Sequence, residues 1–558
     1  MHRRELLKAG FITGLTAAGV VRAQGSSSGS FSLTIVHTND THAHLEPTLL
    51  TLGGKANQPL GGFPRVISLF DRFRASERNV LFLHAGDVFQ GTLYFNQYRG
   101  LADRYFLHRM GVRAMAIGNH EFDNGPEGLQ PFVDGARFPI LSANTDVSKE
   151  PRLAGKIRPY AVVRVGGENI GIIGLTTPDT AFIANPGPTV TFTDPAQAAQ
   201  KAIVELMSRG VKKIVILSHL GYLQDQELAK KIVGAQVIVG GHSHTLLGSF
   251  PDFKELQPAG PYPTVVKNPE GKDVLIVQAW EWAKVVGQLK VEWNQAGELV
   301  RYEGRPILIA ADIPEERFAL EALKVYAMPI AALQTQVVAQ ARVDLQGDRT
   351  VVRRRESNLS NLIADAMLWK TRSAGTVIAL QNGGGVRATI PAGPITVGKV
   401  YEVLPFGNTL VVMDLKGSEV IAALENGVSQ WEQGAGRFLS GVAGLRYTFD
   451  LSKPAGSRIT KVEVLQGGQY VPLDANATYR TVVNNFMAIG GDGFDSLKAA
   501  KGYRVDTGFS DAESFLDYLR TQPTWEPKVE GRITILNEPK SGVERPAYVA
   551  NPRALVGA

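Results

Sequence analysis

Five short runs of apolar residues, each closing on a turn that carries aspartate, asparagine or histidine, constrain this chain more than any other feature. SLTIVHTNDTHAH ends with Asp40 and His42, NVLFLHAGD with Asp87, and RAMAIGNHEFD with Asn119, His120 and Asp123. KKIVILSH ends with His219, and AQVIVGGHSH with His242 and His244. Runs of this length and composition read as buried strands, and the amphipathic stretches between them as helices. If the strands are neighbours in a sheet with comparable topology, all five clusters emerge at one edge, where α/β folds build their sites. Gly86, Gly118, Gly240 and Gly241 accompany the clusters and allow a sharp turn close to a ligand.

Taken singly, Asp40 or Asn119 could cap a helix, His219 could be a hydrogen-bonded core histidine, and Asp87 could close a turn. Taken together they read as a metal site. The chain has no cysteine, so such a site is built from nitrogen and oxygen donors. Two aspartates, an asparagine and four histidines exceed what one four-coordinate ion needs. Two ions sharing a bridging carboxylate would use them all, and paired divalent ions suit the in-line displacement of phosphoester hydrolysis. His120, beside Asn119, can face a nonbridging phosphoryl oxygen, and Asp123 can orient its imidazole.

At 558 residues the chain is too long for one core, so two or more domains are expected. Residues 1–23 read as a twin-arginine-type signal peptide: Arg3 and Arg4 precede an apolar stretch from Ala9 to Val21 and a small-x-small site ending at Ala23. Residues 24–30 read as a flexible linker. Residues 31–310 form a first α/β domain. Residues 311–336 form a linker helix with an apolar period through Phe318, Leu320, Leu323, Val325 and Tyr326 and a break at Pro329. A second domain spans 337–536, with a helix in SNLSNLIADAMLWK and strands in TLVVMDL, LRYTFDL and TYRTVVNN, and 537–558 is an irregular tail. Of the net charge of +6, the first 23 residues carry +3. The remainder is too weakly basic to predict nucleic acid as a partner. A second long uncharged apolar run is absent, so no transmembrane segment is expected in the mature protein.

The ordered series DTH, GD, GNHEFD, SH and GGHSH resembles the calcineurin-like metallophosphoesterases, and their 5′-nucleotidase branch in particular. The resemblance runs from about Leu33 to Ile535. It implies an α/β fold in which an N-terminal metallophosphoesterase sandwich, with helices flanking its sheets, is joined by the linker helix to a C-terminal α/β nucleotide-recognition domain. It implies that Asp40, His42 and His244 hold one divalent ion, that Asn119, His219 and His242 hold the other, and that Asp87 bridges them. The ions can be Zn, Mn, Co or Mg. His120 and Asp123 match the family's catalytic dyad. Relatives often carry Gln or Asn after GGHS, so His244 is a departure. His37, His44 and His84 match no ligand position and are expected to be structural or to support the ligands from behind.

In the second domain NGGGVR, from Asn382 to Arg387, is a glycine turn flanked by an amide and a guanidinium, suited to ribose or phosphate oxygens. LPFGN and NNFMAIGGDGF each set a phenylalanine beside glycines. The resemblance implies that Phe406 and Phe486 stack the base, that Asp492 accepts from a ribose hydroxyl, and that Asn382 and Arg387 contact nucleoside and phosphate. It also implies a phosphate-binding arginine within Arg353-Arg354-Arg355, with Arg353 the first choice and Arg355 the second. The activity implied is hydrolysis of nucleoside 5′-phosphates by a dimetal-activated water. The enzyme is expected to be a monomer, exported by the twin-arginine machinery to the periplasm or the extracellular space, with hinge motion between its domains. A UDP-sugar hydrolase or a 2′,3′-cyclic-nucleotide phosphodiesterase would use the same metals and a similar pocket. More distant alternatives are a sulfur-oxidation thiosulfohydrolase and a non-catalytic nucleotide-binding protein; the dyad and the two phenylalanines favour a nucleotide substrate.

Overall fold

The structure, a computed structural model, describes residues 30–538. The expected signal peptide, all but the last residue of the expected linker and nearly all of the expected tail lie outside the described residues. Strands up to residue 308 build one set of sheets and strands from residue 337 onward build another. The helix Arg317–Gln334 lies between the two sets in sequence.

The five motif-bearing runs are strands, but they divide between two sheets rather than sharing one. Phe31–Thr38, Val80–His84 and Ala114–Ala116 run parallel as neighbours in a seven-stranded sheet. Lys213–His219 and Val237–Val239 run parallel in a six-stranded sheet, with Glu168–Thr176 on one side and Asp273–Val277 on the other. The sheets pack face to face: Leu33, Ile35, Leu81, Leu83, Ala114 and Ala116 of the first share a core with Ile172, Val215, Ile216, Val237 and Ile276 of the second. Strands buried on both faces carry continuous apolar runs, which explains the lack of alternation in IVILSH. Helices such as Phe63–Ser76 and Pro195–Ser208 cover the outer faces.

Pro329 does not break the linker helix, which continues to Gln334. A proline inside a helix removes one N–H and crowds the carbonyl one turn earlier. The N–H missing at Pro329 is the one that would bond the Val325 carbonyl; the Tyr98 hydroxyl donates beside it, to the Tyr326 carbonyl at 2.9 Å. The buried face is also narrower than the apolar period suggests. Ala319 and Leu323 are buried, whereas Phe318 is 71% and Val325 59% exposed.

In the second half, a five-stranded sheet orders Gly441–Ala443, Ile378–Gln381, Thr478–Asn484, Thr409–Lys416 and Arg504–Ser510. Helix Asn358–Thr371, N-capped by the Ser357 side chain, packs on this sheet and on helix Asp511–Leu519.

Candidate active site

The ligand candidates leave the sheets at the C-terminal ends of the parallel strands, His219 as a strand's last residue and the others just beyond. Asp40, His42, Asp87, His242 and His244 all sit at positive φ, between 46° and 75°. Each such non-glycine residue costs about 1–2 kcal/mol, and it persists only where its surroundings over-determine it. Hydrogen bonds between loops supply that constraint: Asp40 N donates to Gly86 O at 3.0 Å, His42 N to Asp87 O at 3.1 Å, and Trp282 N to Asp40 O at 2.7 Å.

Glu121 adds a second brace. Its buried carboxylate accepts from the backbone N–H groups of Asp87, Val88, Phe89 and Gly118, at 3.1, 2.7, 3.2 and 2.6 Å. The Asp87 loop is thereby fixed against the Asn119 loop. Burial pushes the Glu121 carboxyl up to about 7, with Asp87 adding to the rise.

The imidazoles show why cations belong between these groups. His42 Nδ1 lies 2.9 Å from Phe89 O and His219 Nδ1 2.7 Å from Ala85 O, and a carbonyl only accepts. Both rings therefore carry their proton on Nδ1 in the neutral form, leaving Nε2 as a bare lone pair. His244 Nδ1 is likewise 2.7 Å from the Glu281 carboxylate. Yet His42 Nε2 and His244 Nε2 face each other at 3.0 Å, and His219 Nε2 faces Asp87 Oδ2 at 2.9 Å and Asn119 Oδ1 at 3.2 Å. Without a cation these contacts need a proton: burial opposes it, but the Asp87 and Asp40 carboxylates push His219 up to about 9, and Asp40 and Glu281 push His244 up to about 9. A divalent cation at each position would replace that proton, so the groups fit two metal positions. Asp40, His42 and His244 form one donor group and Asp87, His219 and His242 the other, each with donor atoms within 4.8 Å. Asp87 Oδ2 lies between them, 3.9 Å from His42 Nε2. Burial opposes ionisation of Asp87, but the imidazoles of His219, His120 and His42 hold it well below the usual carboxylate range.

His120 stands beside this centre with Nδ1 2.6 Å from Asp123 Oδ2. Burial would lower its pKa; the Asp123 and Asp87 carboxylates overcome that and push it up to about 10. Its Nε2 is buried without a hydrogen-bond partner. The second half covers it: the backbone of Gly508 lies against Nε2, and the Phe509 ring meets the imidazole edge-on at 5.7 Å.

The recognition candidates gather elsewhere in the second half. Asn382 Oδ1 accepts from Asn484 Nδ2 at 2.9 Å, and its Nδ2 approaches Asp492 Oδ2 at 3.5 Å. The Arg387 guanidinium lies over the Phe406 ring at 5.4 Å. Phe486 packs against Gly491, beside Asp492. Phe406 is 49% and Phe486 41% exposed, so both rings offer a free face. Arg353 is within electrostatic reach of Arg349, Arg387 and Asp492. Arg355 is directed elsewhere, into a bidentate pair with Glu538. Arg354 donates to Glu432 O and lies over Trp431. Among the described residues, no hydrogen bond, ion pair or ring contact joins this group to the metal ligands.

Sequence reasoning passed over Glu121, Glu281, Lys284 and Arg349. Glu121 lay in plain view inside GNHEFD. Arg349 precedes Arg353 by four residues, the spacing that puts two side chains on one helix face. The tryptophan-bracketed acid of WEWAK was the available sign for Glu281 and Lys284. Of the histidines expected to be structural, His37 bonds the Tyr262 hydroxyl at 2.8 Å, His84 the Thr41 hydroxyl at 3.1 Å, and His44 stacks on Trp282.

The calcineurin-like phosphoesterase family model matches residues 33–246, and the 5′-nucleotidase C-terminal domain model matches residues 337–499. A 5′-nucleotidase of Diplobatis ommata is 38% identical over 524 residues, with 90% of each chain covered. One of Homo sapiens is 38% identical over 532 residues, with 91% of each covered. Among solved structures, a 5′-nucleotidase precursor from Thermus thermophilus is 69% identical, covers 91% of this chain and 100% of its own, and has a TM-score of 0.60. The NAD nucleotidase of Haemophilus influenzae is 30% identical over the same shares, with a TM-score of 0.77.

Proposed function

The chain belongs to the 5′-nucleotidase family of calcineurin-like metallophosphoesterases, and from that premise we propose that it releases phosphate from nucleoside 5′-monophosphates. The observation that carries the reading is the convergence of bare imidazole nitrogens and the Asp87 carboxylate on two buried positions beside His120. When bound there, two divalent cations supply a clamp on the phosphoryl oxygens and a nucleophilic water at neutral pH. Asp40, His42 and His244 would hold one and Asn119, His219 and His242 the other, with the Asp87 carboxylate available to both. Zn, Mn, Co and Mg all suit these donors.

His120, oriented by Asp123, opposes the charge that builds on a nonbridging phosphoryl oxygen. Arg353 and Arg387, joined by Arg349, hold the phosphate end of the nucleotide. Phe406 and Phe486 sandwich the base, whose π-face any purine or pyrimidine offers. Asp492 and Asn382 take the ribose. Recognition and chemistry must then meet, and rotation of the two halves about helix Arg317–Gln334 is the motion that brings them together. Residues 1–23 direct export through the twin-arginine machinery to the periplasm or the extracellular space, and the chain acts as a monomer. Among the described residues no helix is long and apolar enough to cross a membrane.

The test is phosphate release from AMP by the mature protein, stripped and reloaded separately with Zn, Mn, Co and Mg. Release should depend on metal, and His120→Ala should lose about 10²–10⁴-fold in kcat with metal content unchanged. NAD, UDP-glucose and a 2′,3′-cyclic nucleotide run in parallel. Turnover of one of these with none of AMP would overturn the nucleotidase reading and leave the metal centre standing.

A further inference from the structure

Beyond the strand Asp273–Val277 the chain makes a tight knot, Gln278–Lys284, whose residues no part of the proposed chemistry uses. Trp280, Trp282 and Ala283 have φ of 57°, 55° and 55°, three left-handed non-glycine residues in four positions. The knot is tied to the loop that carries Asp40. Ala279 N donates to Asn39 Oδ1 at 2.8 Å, Asn39 Nδ2 donates to Trp280 O at 2.7 Å, and Trp282 N donates to Asp40 O.

The segment also holds the loop of His242 and His244, through Gln278, which donates to Gly241 O and accepts from Thr245 N, and it places Glu281 against His244. Its Oε2 lies 2.7 Å from His244 Nδ1 and its Oε1 accepts from Lys284 Nζ at 2.5 Å. Lys284 is only 2% exposed, and its ammonium stands over the Trp280 ring at 3.8 Å and the Trp282 ring at 4.3 Å. A buried ammonium needs both a counter-charge and a polarisable shell, and it finds them here. The carboxylate is held from one side by Lys284 and spends its other oxygen on His244.

We propose that Glu281 is a positioning residue for metal binding: it holds the proton of His244 on Nδ1 and aims the bare Nε2 at the position shared with Asp40 and His42. An imidazole without such a partner can present either nitrogen and rotate, whereas one bonded to a carboxylate has a fixed tautomer, a fixed plane and a more basic ligating nitrogen. His244 enters the site from a loop at positive φ with a side chain 6% exposed, and Glu281 is its only side-chain hydrogen-bond partner outside the donor cluster among the described residues, the Asp506 carboxylate acting on it through space. The inference rests on the dimetal reading of the site.

The experiment measures metal binding, not turnover. Stripped wild type, Glu281→Gln, His244→Asn and the double variant are titrated with Zn or Mn against a competing chelator. Wild type should take up two ions, and Glu281→Gln should weaken one of the two by about 10–100-fold while leaving the other unchanged. In the His244→Asn background the same substitution should cost nothing further, because residues that act through one another are not additive. Glu281→Gln is isosteric, and a far-ultraviolet spectrum and melting curve show whether the knot has kept its fold. Unchanged affinity in Glu281→Gln would overturn the proposal, as would an equal loss in the His244→Asn background. A wild type that binds no ion would instead overturn the dimetal reading on which it stands.

Discussion

Gly508 of the second half lies so close to His120 that a methyl group on its α-carbon would come within 2.0 Å of Nε2. The nitrogen proposed to face a phosphoryl oxygen is thus covered by backbone, and a phosphate has no room there until the two halves move apart. Gly508 has a φ of +66° as well, so a side chain at this position is both crowded and strained. Gly508→Ala should weaken this contact by at least about 1 kcal/mol and favour the separated disposition. Small-angle scattering should show a larger radius of gyration for the variant; an unchanged curve would mean that the contact does not hold the halves together.

Glu121 braces four backbone amides with one carboxylate, so its loss leaves four buried donors unpaired. Each costs about 1–3 kcal/mol. Glu121→Ala should therefore melt well below wild type and retain less metal, while Glu121→Gln, which keeps an acceptor oxygen, should fall between the two. Metal content by elemental analysis, measured beside the melting curve, reads both effects.

Arg353 and Arg355 stand two residues apart; the first is proposed to meet the phosphate, and the second pairs with Glu538. Arg353→Ala should raise KM for AMP by about 10-fold or more, the value of a charge-assisted contact of roughly 1.5–3 kcal/mol. Arg355→Ala should leave KM within about twofold, since that side chain is taken up by Glu538. Equal effects in the two variants would reverse the assignment.

Glu513, on the face of the second half that meets the first, titrates in the neutral range. Burial raises it to about 7, and the Asp517 and Asp123 carboxylates add to the rise while Lys370 and the Gly91 N–H oppose it. A carboxyl whose folded pKa lies above its unfolded value costs nothing below the unfolded value. The penalty grows as pH rises from about 4.5 towards 7 and is complete above that. Glu513→Gln should therefore leave the melting temperature unchanged at about pH 4.5 and raise it at about pH 8, by an amount on the order of 3 kcal/mol in stability. A variant less stable than wild type under the alkaline condition would show that the ionised carboxylate is favoured there.

The motif residues were legible because a strand followed by a glycine turn and a short polar side chain has few uses other than a site. What could not be read was pairing. Ala114–Ala116 is three residues long, and nothing in AMA says which strands flank it; that choice is made by the core between two sheets. Pro329 shows the same limit from the other side: a proline in an apolar period reads as a break, yet the helix runs on to Gln334. The pairing of Arg355 with Glu538 was hidden for a similar reason, since the two lie 183 residues apart. For Glu281 the sequence offered only the unusual WEWAK; that its carboxylate meets Nδ1 of His244, 37 residues earlier, is information no residue type or spacing carries.

All the metal-site donors come from strands and loops before residue 310, and the proposed base, ribose and phosphate contacts come from loops after residue 337, with one helix between them. Reactivity and taste are therefore separately heritable. Exchanging the loops that carry Phe406, Phe486 and Asp492 leaves every donor of the metal centre in place, so a lineage with this architecture can change what it eats without relearning how to cut.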